Sequence, residues 1–583
     1  MEEPNNPTGG TDKSAKSTEP TDADPYVDRA VEDILHHESD ELLSAKDEEV
    51  AHAFVPQVSR WQRMRSWVSD AWSIPKYRYS FIAGVSLTLV LLLAVPPTRY
   101  FIFNTLGARA SVSVSVTDDK TTQPIKNATV EVAGKSAKTN EQGIATIDKA
   151  KLGPTTLQIK KTAYTSVSQR VTLGLGKNDI GSRSLASVGS RIKFRVVDWL
   201  SKQPLKGAEA NIGESNALAN EEGVIELPVE PTNENELEAT LAADHYISKQ
   251  KTVSLEANDL TEVALVIDYP NYFVSNRTGK YDLYRVNTDG TDEKIIFAGT
   301  GKEVPREIEL SLNNDRSFVA YISRRDNEKN ADGYLFESLT LIDSKTDVAR
   351  KIASSEDIYV VGWDATHLIY VKIAAGTSAA NPSRQRLISY DLVNNKEQEL
   401  ASSNYFINAQ MAKGYVFYTP SDIYKNAKRG IYRVRPDGSD KLSVFDQDTW
   451  AVYRSDYDQF TFQTPEKWYK STINKTGVEK LDTAPSNPRN MTFVENNDFS
   501  KAIWLEERDG KGTLLLRDTA NRKDAILRSQ SGLSQIVGWA GGEHVIYRVV
   551  TPSETADYIL NINGGDPAKI KDVFNAASTR QGY

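Results

Sequence analysis

The chain has 583 residues, enough for about four domains at roughly 150 residues each, and its 39% hydrophobic and 26% charged content is globular rather than disordered. It contains no cysteine, which excludes disulfide frameworks, Cys-ligated zinc, iron–sulfur clusters and cysteine nucleophiles, and its six histidines leave little for a His-built metal centre. The net charge of −9 is uneven: residues 1–59 carry about −11, residues 60–78 about +4, and the remaining body about −2, too nearly neutral for a nucleic-acid binder.

Residues 1–59 read as an acidic cytoplasmic tail. Residues 1–30 are rich in Pro, Thr, Ser, Asp and Lys, so no apolar burial offsets the entropy of ordering them, and disorder is predicted. From Val31 to Phe54 the spaced apolar positions Ile34, Leu35, Leu42, Leu43 and Val50 predict a weak helix. Within it, His36-His37-Glu38 reads as a solvated polar patch rather than a metal site. Residues 60–78 predict a basic juxtamembrane helix. There Trp61, Met64, Val68 and Trp72 follow helical spacing beside Arg60, Arg63 and Arg65, which suits either a helix in the lipid headgroups or a plain flank that sets topology.

Residues 79–103 are expected to form a single transmembrane helix. The run Ser80 to Val95 is free of charge. Sixteen helical residues reach about 24 Å, short of a ~30 Å hydrocarbon core, and Tyr77, Tyr79, Pro96, Pro97 and Tyr100 to Phe103 make up the difference. A buried core helix does not collect bases at one end and aromatics at both. A signal peptide, with Ala108-Arg109-Ala110 as its cleavage site, is opposed by the 79 residues that precede the run. Five bases before the span against Arg99 and Arg109 after it place the N-terminus in the cytoplasm and the C-terminal domains outside.

Beyond the anchor the chain repeats. Pro124-Ile125-Lys126-Asn127-Ala128 matches Pro204-Leu205-Lys206-Gly207-Ala208, and Asn140-Glu141-Gln142-Gly143 matches Asn220-Glu221-Glu222-Gly223, all offset by 80 residues; Tyr164 and Tyr246 are offset by 82. A constant offset at separate motifs marks tandem copies. Val112 to Val116 alternates as a half-buried strand does, Lys193 to Val197 more loosely, and Gln142-Gly143 and Glu222-Gly223 read as turns before strands 144–147 and 224–227. Two small antiparallel β-sandwiches are predicted, over 109–188 and 189–268. Their order of strand, Asp, Pro, Ala, Asn-Glu-x-Gly and late Tyr resembles the carboxypeptidase regulatory-like domain, close to PEGA-type surface modules. The matching residues are Asp118, Pro124, Ala128, Gly143 and Tyr164, then Asp198, Pro204, Ala208, Gly223 and Tyr246. That family carries no peptidase machinery, so the resemblance implies a stalk or interaction module.

Residues 269–583 change character. Tyr284 to Asp292 (YRVNTDGTD) pairs with Tyr432 to Asp440 (YRVRPDGSD) and more weakly with Tyr558 to Asp566, at separations of 148 and 126. Val361-Gly362-Trp363 and Val537-Gly538-Trp539 lie 176 apart. All are multiples of a 42–49-residue unit, the signature of a β-propeller. Asp-Gly pairs supply hairpin turns between a blade's outer strands, and stacked blades bury faces that one blade cannot. Strand groups fall near 272–298, 307–353, 358–400, 405–445, 451–481, 490–527 and 535–571. Seven blades are favoured, with six or eight open because the fifth group is short. The first group lacks an innermost strand, which the segment Val573 to Arg580 is expected to supply. Residues 272–286 resemble the TolB-type (PD40/WD40-like) propeller repeat, whose best-known members have six blades.

No G-x-S-x-G, H-E-x-x-H or P-loop motif occurs, and no residues of this chain remain for an α/β-hydrolase partner domain. Asp289, Asp292, Asp437 and Asp440 read as turn residues rather than calcium ligands. His367 and His544 read as structural residues in matching places of two blades. No catalytic, cofactor or metal residue is assigned. The expectation is a non-catalytic, single-pass surface protein whose propeller binds a protein or envelope glycan on a sandwich stalk. One alternative is a transmembrane sensor or envelope-assembly scaffold signalling through the acidic tail. Another is a propeller glycan hydrolase, which would need two carboxylates converging in the channel. Absence of cysteine from an external domain points to a bacterial source.

Overall fold

The computed structural model describes Trp61, Met64 to Ser66 and residues 75–573, apart from 256–258, 422–428, 474–476 and 487. The predicted tail helix at 31–54, the His36-His37-Glu38 patch and the ring-closing segment after Val573 lie outside the described residues, as do Val68 and Trp72. Trp61 and Met64 to Ser66 are helical. The chain divides into two compact units, residues 1–95 and 96–583.

In the first unit, helix α1 spans Pro75–Ala94, and along its charge-free part Val85, Leu87, Leu89, Val90 and Leu91 are exposed. The expected unbroken span over 79–103 is not what forms. The helix stops at Ala94 and a second, α2 (Pro96–Thr105), begins after Val95. Proline removes the N–H donor and crowds the preceding turn, and it pushes the residue before it out of helical geometry; Pro96 therefore opens a new helix, where its fixed φ is favourable. Among the described residues no single helix is long and apolar enough to cross a membrane, although Tyr79–Ala94 and Pro96–Thr105 together pass on length and composition.

The second unit starts with α2, which is tied to the β-structure. Tyr100 and Phe103 pack on the core of the first sandwich, and Asn104 Nδ2 donates to the Leu152 carbonyl at 3.0 Å while its Oδ1 accepts from the Leu152 N–H at 2.9 Å. That sandwich has a three-stranded sheet, with Ala110–Asp118 between Ile144–Ala150 and Gly176–Leu185, facing a sheet of four. Ala110–Asp118 buries every second residue, as its Val/Ser alternation requires. The second copy has the same strand order, with Ser190–Asp198 between Val224–Val229 and Leu260–Leu265. Each central strand pairs parallel with the last strand of its module, so the sandwiches are not purely antiparallel as expected. Alternating burial reports which face of a strand is covered, not the direction of its neighbour. Gly143 and Gly223 have φ of +70° and +72°, and in each a Cβ would stand 2.5 Å from a carbonyl oxygen, that of Val116 or Val196. Glycine is required there for both reasons.

Among the described residues seven successive antiparallel sheets follow, at 271–297, 309–355, 358–403, 405–445, 451–480, 494–530 and 533–572; the first has three described strands and the others four. Each overlaps one of the strand groups read from sequence. Phe273, Tyr284 and Val286 of the first sheet share a core with Ala540, Ile546 and Ile559 of the last, so the run of sheets returns on itself as a β-propeller. Trp199, Leu200 and Tyr246 of the second sandwich pack on that same core. The Asp-Gly motifs join the last two strands of the first and fourth sheets: Asp289 Oδ1 accepts from the Thr291 N–H and Asp437 Oδ1 from the Ser439 N–H, at 3.1 and 2.9 Å. Beyond α2 the described residues are mainly β.

Candidate functional site in the propeller channel

The innermost strands are built to converge. Val361-Gly362-Trp363 and Val537-Gly538-Trp539 occupy the same place in the third and seventh sheets, each at a register shift. The shift turns the indole back toward the preceding sheet. Trp363 Nε1 donates to Ser311 Oγ at 2.8 Å, and Trp539 Nε1 donates to the Val494 carbonyl at 2.9 Å. The glycine beside each tryptophan leaves space for a neighbour: a Cβ on Gly362 would meet Met411 Cγ at 2.5 Å, and one on Gly538 would lie 3.5 Å from Arg316 Nη2.

All seven sheets contribute to one cavity of about 220 Å³, with Tyr272 from the first and Trp539 and Arg548 from the last. A water needs about 10–15 Å³ of such space, so the cavity accommodates a group of many atoms. Its wall carries three guanidinium groups, from Arg316, Arg454 and Arg548, and one carboxylate, Glu495. Arg454, buried, donates from Nη2 to Glu495 Oε1 at 3.0 Å and to the Tyr457 carbonyl at 2.8 Å. Arg548 donates from Nε and Nη2 to the two oxygens of Asp557 at 2.6 and 3.0 Å. Arg316 is 1% exposed; its Nε donates to the Trp539 carbonyl at 2.7 Å and its Nη1 to the Pro270 carbonyl at 2.9 Å, while Nη2 has no partner. Burial lowers its pKa to about 10. Across the ring, Gln410 is 8% exposed and its Nε2 is also unpartnered.

The cavity adjoins a polar mouth, since Asn313, Asn314, Trp363 and Phe499 border both. Three carboxylates stand at this mouth, Asp315, Asp364 and Asp437. Each is committed to its own turn: Asp315 Oδ1 accepts from the Ser317 N–H at 3.0 Å, and Asp364 Oδ1 from the His367 N–H at 2.7 Å, as Asp437 does from Ser439. The Ser439 hydroxyl and N–H hold Asp437 below its ordinary pKa. Asp292 and Asp440 adopt positive φ in the Asp-Gly hairpins, and Asp440 accepts from the Tyr415 hydroxyl at 2.9 Å. No cluster of metal-ligating groups occurs among the described residues.

His367 and His544 open the second strands of the third and seventh sheets, the matching places expected of them. His367 Nδ1 contacts Asp364 at 3.2 Å. His544 of the last sheet lies 3.9 Å from Asp198 of the second sandwich. Burial holds His544 below its ordinary pKa against the pull of Asp198 and Glu543. Asp198 also accepts from the Tyr246 hydroxyl at 3.2 Å. Its counterpart Asp118 accepts from the Tyr164 hydroxyl at 3.0 Å and from Arg191 of the next sandwich at 2.8 and 3.0 Å. The Asp–Tyr pair of each module thus faces a base from the domain that follows.

The channel residues Arg316, Gln410, Arg454, Glu495 and Arg548 were not singled out from the sequence. A signal for Arg316 exists. Asn313-Asn314-Asp315-Arg316-Ser317 aligns with Asn496-Asn497-Asp498-Phe499-Ser500, and Arg316 and Phe499 share a φ near +56°. Arginine stands in one copy where the other has phenylalanine.

No protein-family model matches the chain, and no curated protein matches it. Among solved structures it is similar to oligogalacturonate lyase from Vibrio parahaemolyticus (14% identity, 50% of this chain and 86% of that one, TM-score 0.31). It is similar to the β-propeller domain of the Trilobed protease from Pyrococcus furiosus (13% identity, 59% and 96%, TM-score 0.34). It is also similar to TolB from Acinetobacter baumannii (13% identity, 51% and 77%, TM-score 0.27).

Proposed function

We propose that this chain is a single-pass, membrane-anchored surface protein in which a seven-bladed, TolB-like propeller binds a protein or envelope glycan without catalysis. Two carboxypeptidase regulatory-like sandwiches hold the propeller out as a stalk. The observation that carries the binding role is a cavity to which all seven described sheets contribute and which continues into a mouth lined by polar residues. Concave sites with a few placed polar groups are where ligands bind. The anchor is supported by the exposed apolar side chains along the charge-free part of α1, and by the bases that precede it. Stalk and propeller share a hydrophobic core, which supports a stalk that holds the propeller in one position on it.

The hydrolase alternative meets three carboxylates at the mouth, Asp315, Asp364 and Asp437, but each accepts from its own turn, and the described wall adds only Glu495, already bonded to Arg454. The sensor alternative rests on a tail outside the described residues; deletion of residues 1–58 tests it. The leading reading is tested by arraying the detergent-solubilised chain against envelope glycans and membrane-protein extracts, with a C-terminal reporter active only outside the cell. Saturable binding and reporter activity are expected. No saturable ligand, or activity only from an N-terminal fusion, refutes it.

A further inference from the structure

Among the described residues, one channel cation makes no ion pair with a carboxylate. Arg454 is matched by Glu495, and Arg548 by Asp557. Arg316 bonds only to the carbonyls of Trp539 and Pro270, and its Nη2 has no partner. Desolvating a charge costs several kcal/mol unless a counter-charge and hydrogen bonds compensate. The two carbonyl bonds clasp the first sheet to the last, and a neutral donor would serve for that. They do not account for a charge, nor for a third nitrogen beside Gly538 in the cavity wall. A second orphan donor, Gln410 Nε2, lies in the same wall on the fourth sheet.

We propose that the propeller cavity binds a sugar acid, with its carboxylate on Arg316 Nη2 and a hydroxyl of the same ring accepting from Gln410 Nε2. This rests on, and deepens, the reading of the propeller as a ligand-binding domain. The charge count selects the guest. One unmatched guanidinium is neutralised by a carboxylate of charge −1, whereas a phosphate of about −2 would leave a buried excess of negative charge. The wall selects its body. Trp363 and Phe499 line the cavity where it meets the mouth, and Asn314 stands beside them with its amide. Aromatic surface beside an amide suits a polyol ring. The acid is either free or the terminal residue of a glycan whose remaining sugars lie in the mouth.

The test uses the full chain in detergent and isothermal titration with glucuronate, glucose, N-acetyl-Gly-Gly with a free C-terminus, and a glucuronate-terminated tetrasaccharide. Glucuronate should bind saturably, with glucose at least about tenfold weaker. Gln410→Leu should weaken glucuronate about tenfold, the loss expected for one buried hydrogen bond, and Arg316→Gln about a hundredfold. Gln410→Leu removes no clasp, so it decides the matter if Arg316→Gln does not fold. A tetrasaccharide that binds more tightly than glucuronate identifies a glycan terminus; equal affinity identifies the free acid. Glucose equal to glucuronate, tighter binding of the peptide, or full affinity in Gln410→Leu overturns the proposal. Saturable array binding of a neutral glycan that glucuronate does not compete with would overturn the acid site alone and leave the binding function standing.

Discussion

Asp118→Asn and Asp198→Asn change the same position in two copies of one module, and their costs should differ. Asp118 is 3% exposed; Oδ1 accepts the N–H groups of Lys120 and Thr121, and both oxygens accept from Arg191 Nη2. Burial alone would raise this carboxyl, but the Thr121 N–H, Arg191 and Tyr164 together hold it below its ordinary value. Asparagine keeps the two backbone bonds and turns an NH2 group toward Arg191. Removing one partner of a buried pair costs ~3–5 kcal/mol, and Glu226, 3.6 Å from Arg191 Nη1, compensates in part, so a loss of ~3 kcal/mol is expected. Asp198 keeps the same turn bonds, to Leu200 and Ser201, and accepts from the Ser201 and Tyr246 hydroxyls, but in place of an arginine it meets a His544 whose pKa burial lowers. Its loss should be ~1 kcal/mol. The difference of ~2 kcal/mol is about thirtyfold in an opening equilibrium. Hydrogen exchange of the full chain reads it, from the amides of 112–116 in Asp118→Asn and of 192–196 in Asp198→Asn. Equal losses, or a larger loss in Asp198→Asn, would refute the assignment of Arg191 as the source of the difference.

Gly143→Ala and Gly223→Ala should each destabilise their own sandwich by more than ~2 kcal/mol, because both the positive φ and the carbonyl at 2.5 Å oppose a Cβ; thermal scans of each variant check this. His544 has a lowered folded pKa, so the unfolded state binds more protons between that value and about 6.5. Exchange protection at the joint between second sandwich and propeller should therefore fall as pH drops below about 6.5 and level off below the folded pKa. That dependence should vanish in His544→Gln. Asp557→Ala strands Arg548 and the Asn271 amide and should cost ~3–5 kcal/mol, whereas Arg548→Met with Asp557→Leu should be nearly neutral by denaturant unfolding. Leu89→Arg with Leu91→Arg places two charges in α1, each costing ~2.5–3.5 kcal/mol in a bilayer. The variant should leave the membrane fraction, and unchanged sedimentation with membranes would count against the anchor.

Much of the architecture lies in local chemistry. The seven strand groups, the Asp-Gly hairpins and the paired Val-Gly-Trp motifs each depend on a few adjacent residues that set a turn, a pleat or a bulge, so their spacing is legible along the chain. Gly143 and Gly223 are legible for the same reason. The break between α1 and α2 was also written there, in Pro96 and Pro97, although the continuous apolar run masked it. What the sequence could not show depends on which distant segments meet. Arg316 and Trp539, 223 positions apart, are joined only when the first and last sheets close together. The parallel pairing of first and last sandwich strands leaves no mark in either strand's alternation. Asp118 and Asp198 are equivalent in the repeat, yet one meets an arginine and the other a histidine, because each takes its base from the domain that follows. Short-range propensity acts through neighbours in sequence; counter-charge and orphaned donors are decided by neighbours in space, and only the tertiary structure supplies those.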